Sequence, residues 1–220
     1  MSSNKKGFLH VLSALCLSIS ICGCASHSYR THSEFEMRVK NIGKPVLIVS
    51  NVRIYEVSPG GLVELRDDWC AIGKRNLGNA VLARFREKHY NIKPLTMSEE
   101  IAREMEGIQA LYRAVSRSIQ LHTYGPQLFP ERIRNFDYSF GPIEGLLERL
   151  QADSLILVNA LGQISANRSK GSISLSVADS SGTILWYSVK GSTGEYDLRD
   201  PKRVVELVED ILSSFPGASG

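Results

Sequence analysis

Two continuous apolar runs dominate the chain, Val46-Leu47-Ile48-Val49 and the segment Ser154 to Leu161. Runs of this kind, rich in branched aliphatics, suit strands buried on both faces. The first resumes in Val52, Ile54 and Tyr55 before the turn Ser58-Pro59-Gly60-Gly61. The period then lengthens. Trp69, Ile72, Leu77, Val81, Leu82 and Phe85 fall on one helical stripe that runs to about Lys88, with Asp67 or Asp68 as its cap. Gly73 and Gly78 weaken this helix and suit close packing against a neighbour. Tyr90 to Leu95 predicts a short strand, which Pro94 places at an edge or an end. Ser98, followed by Glu99 and Glu100, opens the longest helix. Its apolar positions Ile101, Met105, Ile108, Tyr112, Val115, Ile119 and His122 advance by alternating steps of four and three residues, a heptad seam. Ala102 and Leu111 widen the seam, which favours packing onto its own domain over a two-stranded coiled coil. Gly125-Pro126 ends the helix.

Pro142 starts a short helix through Leu146, Leu147 and Leu150, closed by Gln151-Ala152-Asp153. Beyond the second apolar run, Ile173, Leu175 and Val177 alternate with serines. Asp179-Ser180-Ser181-Gly182 then makes a turn, and Ile184 to Val189 returns as a strand. This pair should be antiparallel with one solvated face. Asp200-Pro201 supplies a cap and first residue for a last helix burying Val204, Val208, Ile211 and Phe215. The order β-α-β-α-α-β-β-β-α predicts an α/β (α+β) fold: one domain over 45–215, with a mixed sheet of about five strands covered by helices. Residues 25–44 are mostly polar and show no sustained apolar period, so they read as a tether, and 216–220 as a frayed tail.

At the amino terminus, Phe8 to Ile21 is an uncharged run behind Lys5 and Lys6. Its length suits the apolar region of a secretory signal and is too short to span a bilayer. It ends in Ile21-Cys22-Gly23-Cys24, which resembles the lipobox of bacterial lipoproteins, with Ile21 where leucine is usual and Cys22 at the tolerant position. The resemblance implies removal of residues 1–23, a tether over 24–44 and a covalent lipid on Cys24, with no other cofactor. An ordinary secretory signal cut near Ala25 is the alternative. Ala25 stands where aspartate would favour the inner membrane. The resemblance therefore implies the outer membrane, with the domain facing the periplasm and the bilayer as one partner.

The formal charge of +3 falls to +1 once Lys5 and Lys6 leave with the signal. A balance so near neutral makes no electrostatic case for nucleic acid. Cys16 and Cys22 lie in the signal and Cys24 carries the lipid, which leaves Cys70 unpaired, a buried small apolar residue rather than a nucleophile. His27, His32, His89 and His122 stand in no catalytic or metal-ligating spacing. The serines between Ser165 and Ser181 read as the wet face of a sheet. Phe129, Phe136, Tyr138 and Phe140, with Tyr124, crowd a long connection, and such aromatics either fold back on the core or offer a contact surface. The basic tip containing Arg168 and Lys170 is the other candidate contact with an envelope protein partner.

Ala152-Asp153 before the strand Leu155 to Val158, and the turn-strand Asp179-Ser180-Ser181-Gly182-Thr183-Ile184-Leu185-Trp186, are similar to a recurring hairpin pattern. It is found in lipoproteins related to the curli secretion channel and to the activators of penicillin-binding proteins, whose fold is like the amino-terminal domain of the Tol-system propeller protein. Gly60-Gly61-Leu62-Val63-Glu64 with Trp69, and Phe136 to Pro142, resemble segments of proteobacterial lipoproteins. None of these motifs carries catalytic residues, so the resemblance implies a fold and an address. Three functions are then open. They are a non-catalytic binding or adaptor subunit of the cell envelope, an oligomeric secretion-channel or transport-complex component, and an envelope hydrolase.

Overall fold

The computed structural model describes residues 27–93, 95, 98–124, 131, 135–194 and 196–218. Its strands are β1 (His27–Thr31), β2 (Pro45–Val57), β3 (Val63–Leu65), β4 (Ser154–Ile164), β5 (Ser169–Asp179) and β6 (Ile184–Gly194). They form one open sheet of six strands in the order β1-β6-β5-β4-β2-β3. The β2–β4 pairing is parallel and every other pairing is antiparallel. The helices are α1 (Phe35–Arg38), α2 (Asp67–Glu87), α3 (Glu99–Ile119), α4 (Glu144–Leu150) and α5 (Pro201–Leu212). The fold is a single mixed α/β domain.

Strand alternation divides the core in two. Leu47, Ile54, Ile156, Val158, Leu175, Val177 and Trp186 pack on one face against α2 and α5. Val46, Ile48, Leu155, Leu157, Ala178 and Tyr187 pack on the other against α3 and α4. Fully buried Trp186 sits 5.1 Å from Phe215, centroid to centroid, and Phe85, Tyr90 and Phe35 ring the same phenylalanine. Each such aromatic pair adds about 0.5–1.5 kcal/mol to the burial itself.

Several expectations are corrected. The described part of the expected tether is folded. β1 pairs with β6 over its whole length, and Phe35, Val39 and Ile42 enter the first core. Their spacing of four and three is helical, but the charged residues between them hide it. Tyr90 to Leu95 is not a strand: Lys93 makes one isolated parallel bridge to Val46, and Pro94 lies outside the described residues. The edge strand β3 was absent from the expected order because three exposed residues carry no alternation signal. The tail is docked as far as Ala218, whose N–H donates to Lys88 O at 2.9 Å.

The antiparallel β5–β6 hairpin matches the expectation, but its serine face is not solvated. Ser174 and Ser176 are buried beneath α3, where the Tyr112 hydroxyl comes down from the helix and the Tyr187 hydroxyl reaches over from β6, while Ser188 is buried on the opposite face. Both strands are interior in the sheet, and the serine face is covered at Ser174 and Ser176 while Ser172 stays half-buried toward the strand end. The α3 seam buries Met105, Ile108, Tyr112 and Ile119 as its spacing requires, while Leu111 stays exposed.

Candidate functional site

The second sheet face is apolar for only half its length. Beyond Ile48 a β-bulge at Ser50 shifts the register of β2. The residues then turned to this face are Asn51, Arg53 and Tyr55, beside Asn159 and Leu161 of β4 and Ser174 and Ser172 of β5. The last turns of α3 lie over this polar half and contribute Arg113, Ser116 and Arg117. Gln120 follows on a π-helical turn, Gln120–Tyr124, a distortion that recurs at functional sites. Together these residues line a cleft of about 310 Å³, at the small end of ligand-binding cavities.

Beneath the cleft lies a buried hydroxyl network, of which Ser116 and Gln120 reach the lining. Ser116 Oγ and Tyr187 OH lie 3.0 Å apart, and Gln120 Nε2 donates to the same Tyr187 oxygen at 3.0 Å. Tyr112 OH donates to Leu157 O at 3.3 Å. Burial raises the pKa of both phenols, so they remain neutral donors and acceptors. Asn159 Oδ1 is buried with no hydrogen-bond partner, which leaves an acceptor in need of a donor.

Three exposed arginines, Arg53, Arg113 and Arg117, stand among the lining residues, and among the described residues no aspartate, glutamate, histidine or cysteine does. None of the three guanidiniums has an ion-pair or hydrogen-bond partner among the described residues. Arg113 and Arg117 are one helical turn apart, a like-charge spacing that costs about 0.2–0.5 kcal/mol. The negative end of the α3 dipole accounts for a cation at Arg117, in the last turn. It does not account for Arg113 or for Arg53 on a strand.

No family model matches this chain, and no curated protein matches it. Among solved structures, it is similar to a PelC dodecamer subunit from Paraburkholderia phytofirmans at a TM-score of 0.43 and 9% identity, over 88% of this chain and 99% of that one. It is also similar to the LpoB C-terminal domain from Salmonella enterica at a TM-score of 0.28 and 12% identity, over 69% of this chain and 84% of that one.

The residues expected from sequence to meet a partner are not part of the cleft lining. Phe136, Tyr138 and Phe140 are buried in the second core, which corrects the contact-surface alternative for them in favour of packing. Tyr124 is half-buried, 6.4 Å from the Tyr187 ring and beneath the Arg30 guanidinium at 5.5 Å. Phe129 and Cys24 lie outside the described residues. Arg168 and Lys170 are exposed at the β4–β5 turn, the same end of the sheet as the cleft. Cys70 is partly buried against the first core, its Sγ accepting from Ile54 N at 3.2 Å.

His122 Nδ1 is 3.2 Å from Ser118 Oγ, and His32 Nδ1 accepts from Glu34 N at 3.1 Å. No group of three metal-binding side chains gathers among the described residues. The cleft itself escaped sequence reading. Its signals were Asn159 inside an apolar run, Arg53 alternating with Val52 and Ile54, and an arginine pair at helical spacing; each alone is ordinary.

Proposed function

We propose that this chain is a lipoprotein anchored through acylated Cys24, with its domain facing the periplasm from the outer membrane, and that it acts as a non-catalytic binding subunit of the cell envelope. One observation carries the binding reading: a cleft lined by guanidinium, amide and hydroxyl groups and, among the described residues, by no aspartate, glutamate, histidine or cysteine to serve as base or metal ligand. Such a lining holds a ligand without turning it over. The address rests on the apolar run behind Lys5 and Lys6 and on Ile21-Cys22-Gly23-Cys24. Among the described residues no helix is long and apolar enough to cross a membrane, so lipid is the attachment this reading requires.

The test is mass spectrometry of the amino terminus of the protein isolated from cells, with membrane fractionation of wild type and Cys24→Ala. The reading expects an acylated Cys24 and loss of membrane association in the variant. An unmodified terminus on a freely soluble protein would remove it.

A further inference from the structure

β1 starts at His27, three residues after Cys24. A chain of that length reaches at most about 10 Å. The expected tether is therefore nearly all folded, and an acylated Cys24 would hold the domain against the bilayer by one particular end. Strand register says which end. His27 pairs with Lys190, Lys190 with Ile173, Ile173 with Ala160 and Ala160 with Val52, so these residues form one row across the sheet.

β1 runs from this row toward the apolar half, so its amino-terminal end is directed to the other side of the row. On that other side, on the cleft face, lie Arg53, Leu161 and Ser172, then Tyr55, Gln163 and Lys170. The cleft and the start of β1 thus share one end of the sheet, separated laterally by two to four strand spacings, about 10 to 20 Å. Arg168 and Lys170 extend the positive charge at this end. The acids closest in register, Glu56 and Glu64, are paired with one another on the opposite face of the sheet, and Glu56 is held by Arg66 at 2.5 Å.

We infer that the cleft takes the phosphoryl headgroup of an anionic glycerophospholipid of the membrane to which the chain is anchored. Three guanidiniums with no partner and no acid beside them among the described residues suit an occupant that brings negative charge, and planar guanidiniums suit phosphate oxygens. Ser172, Ser174, Ser116 and Gln120 of the lining offer hydroxyl and amide partners that suit the hydroxyls of a glycerol headgroup. The exposed Leu161 at the cleft lies where the glycerol backbone and first methylenes would leave it. Orientation toward the bilayer rests on the acylation of Cys24; the cleft's choice of headgroup does not.

The test titrates the full chain in non-ionic detergent with short-chain phosphatidylglycerol, short-chain phosphatidylcholine and inorganic phosphate. Hydrogen exchange is followed over 51–55, 113–120, 159–161 and 172–174. Phosphatidylglycerol should slow exchange in these segments at concentrations where phosphatidylcholine does not. Arg113→Ala with Arg117→Ala should weaken the effect about 25-fold, at about five-fold per basic residue, with an unchanged melting temperature because both side chains are exposed.

Equal effects of the two lipids, inorganic phosphate acting as strongly as phosphatidylglycerol, or a double variant that binds like wild type would each overturn the inference. An unacylated terminus would sink the anchoring reading while leaving this titration interpretable.

Discussion

Single side chains at the β5–β6 turn explain why the amino-terminal segment is folded. Asp179 Oδ1 accepts from Ser181 N at 3.1 Å, Ser181 Oγ at 2.6 Å and Thr183 N at 3.3 Å, while its other oxygen pairs with Arg38. One carboxylate therefore closes the hairpin and clamps α1 to it. Asp179→Ala should cost about 2 kcal/mol, since it leaves three donors without this acceptor and takes from Arg38 one of its two carboxylate partners; an unchanged urea midpoint would contradict this. Gly182, three residues on, has φ +72°, and an added Cβ would overlap the Gly141 carbonyl. Gly182→Ala is expected to cost more than about 2 kcal/mol, from the left-handed backbone and the clash together. A melting curve superimposable on wild type would refute that. The Asp-x-x-Gly spacing of this turn was legible in sequence because the chemistry is local. Its partner Arg38 was not, being 141 positions away from Asp179 in the chain.

Among the elements, α2 shows how two similar glycines differ. A Cβ on Gly73 would meet Ile54 Cδ1 at 2.9 Å, Leu198 Cβ at 3.2 Å and Val52 Cγ1 at 3.3 Å, whereas on Gly78 it would meet only Val49 Cγ2 at 3.7 Å. Gly78→Ala should therefore raise stability by about 0.5–1 kcal/mol through helix propensity. At Gly73 crowding should cancel or reverse that gain. Identical shifts in melting temperature for the two variants would show the packing argument to be wrong.

The short segment β1 and α1 makes a sharper contrast. Phe35 is buried at 6% exposure, edge-on to Phe215 at 6.3 Å, so Phe35→Ala should cost about 3 kcal/mol. A true tether would lose nothing, and chemical denaturation separates the two outcomes. Helix α3 was readable because a seam of about six turns repeats one instruction many times. β1 and β3 were not, because a strand of three to five residues at an edge takes its stability from a neighbour's ladder rather than from its own pattern.

For the molecule as a whole, the two cores carry an alkaline limit. Burial raises the pKa of Tyr112, Tyr187 and Tyr196, and pushes Tyr90 up to about 12. The folded state thus keeps protons that the unfolded chain gives up above the ordinary tyrosine value of about 10. Stability is complete below that pH and falls as pH rises beyond it, by up to about 1.4 kcal/mol per tyrosine per pH unit. Tyrosinate absorbance and far-ultraviolet circular dichroism should change together in one cooperative transition above about pH 10. Full titration of these phenols near their ordinary value with the dichroism intact would show that they are not buried as described.

Sequence alone determined the α/β class, the two central strands, the three long helices, the hairpin and its turn, because each is written in a local period or a local cap. The address at Cys24 is likewise a reading of contiguous residues. Tertiary structure alone decided that the serines of β5 lie under a helix, that residues 27–44 belong to the domain, and that Arg53, Arg113, Arg117 and Asn159 meet in one cleft. Those residues come from two strands and the helix between them in the chain, spread over 106 positions from Arg53 to Asn159. A charge on a strand and a charge on a helix look like ordinary solvated positions until sheet register and helix placement bring them to the same end. No period in the chain encodes that meeting; it follows from how the layers stack.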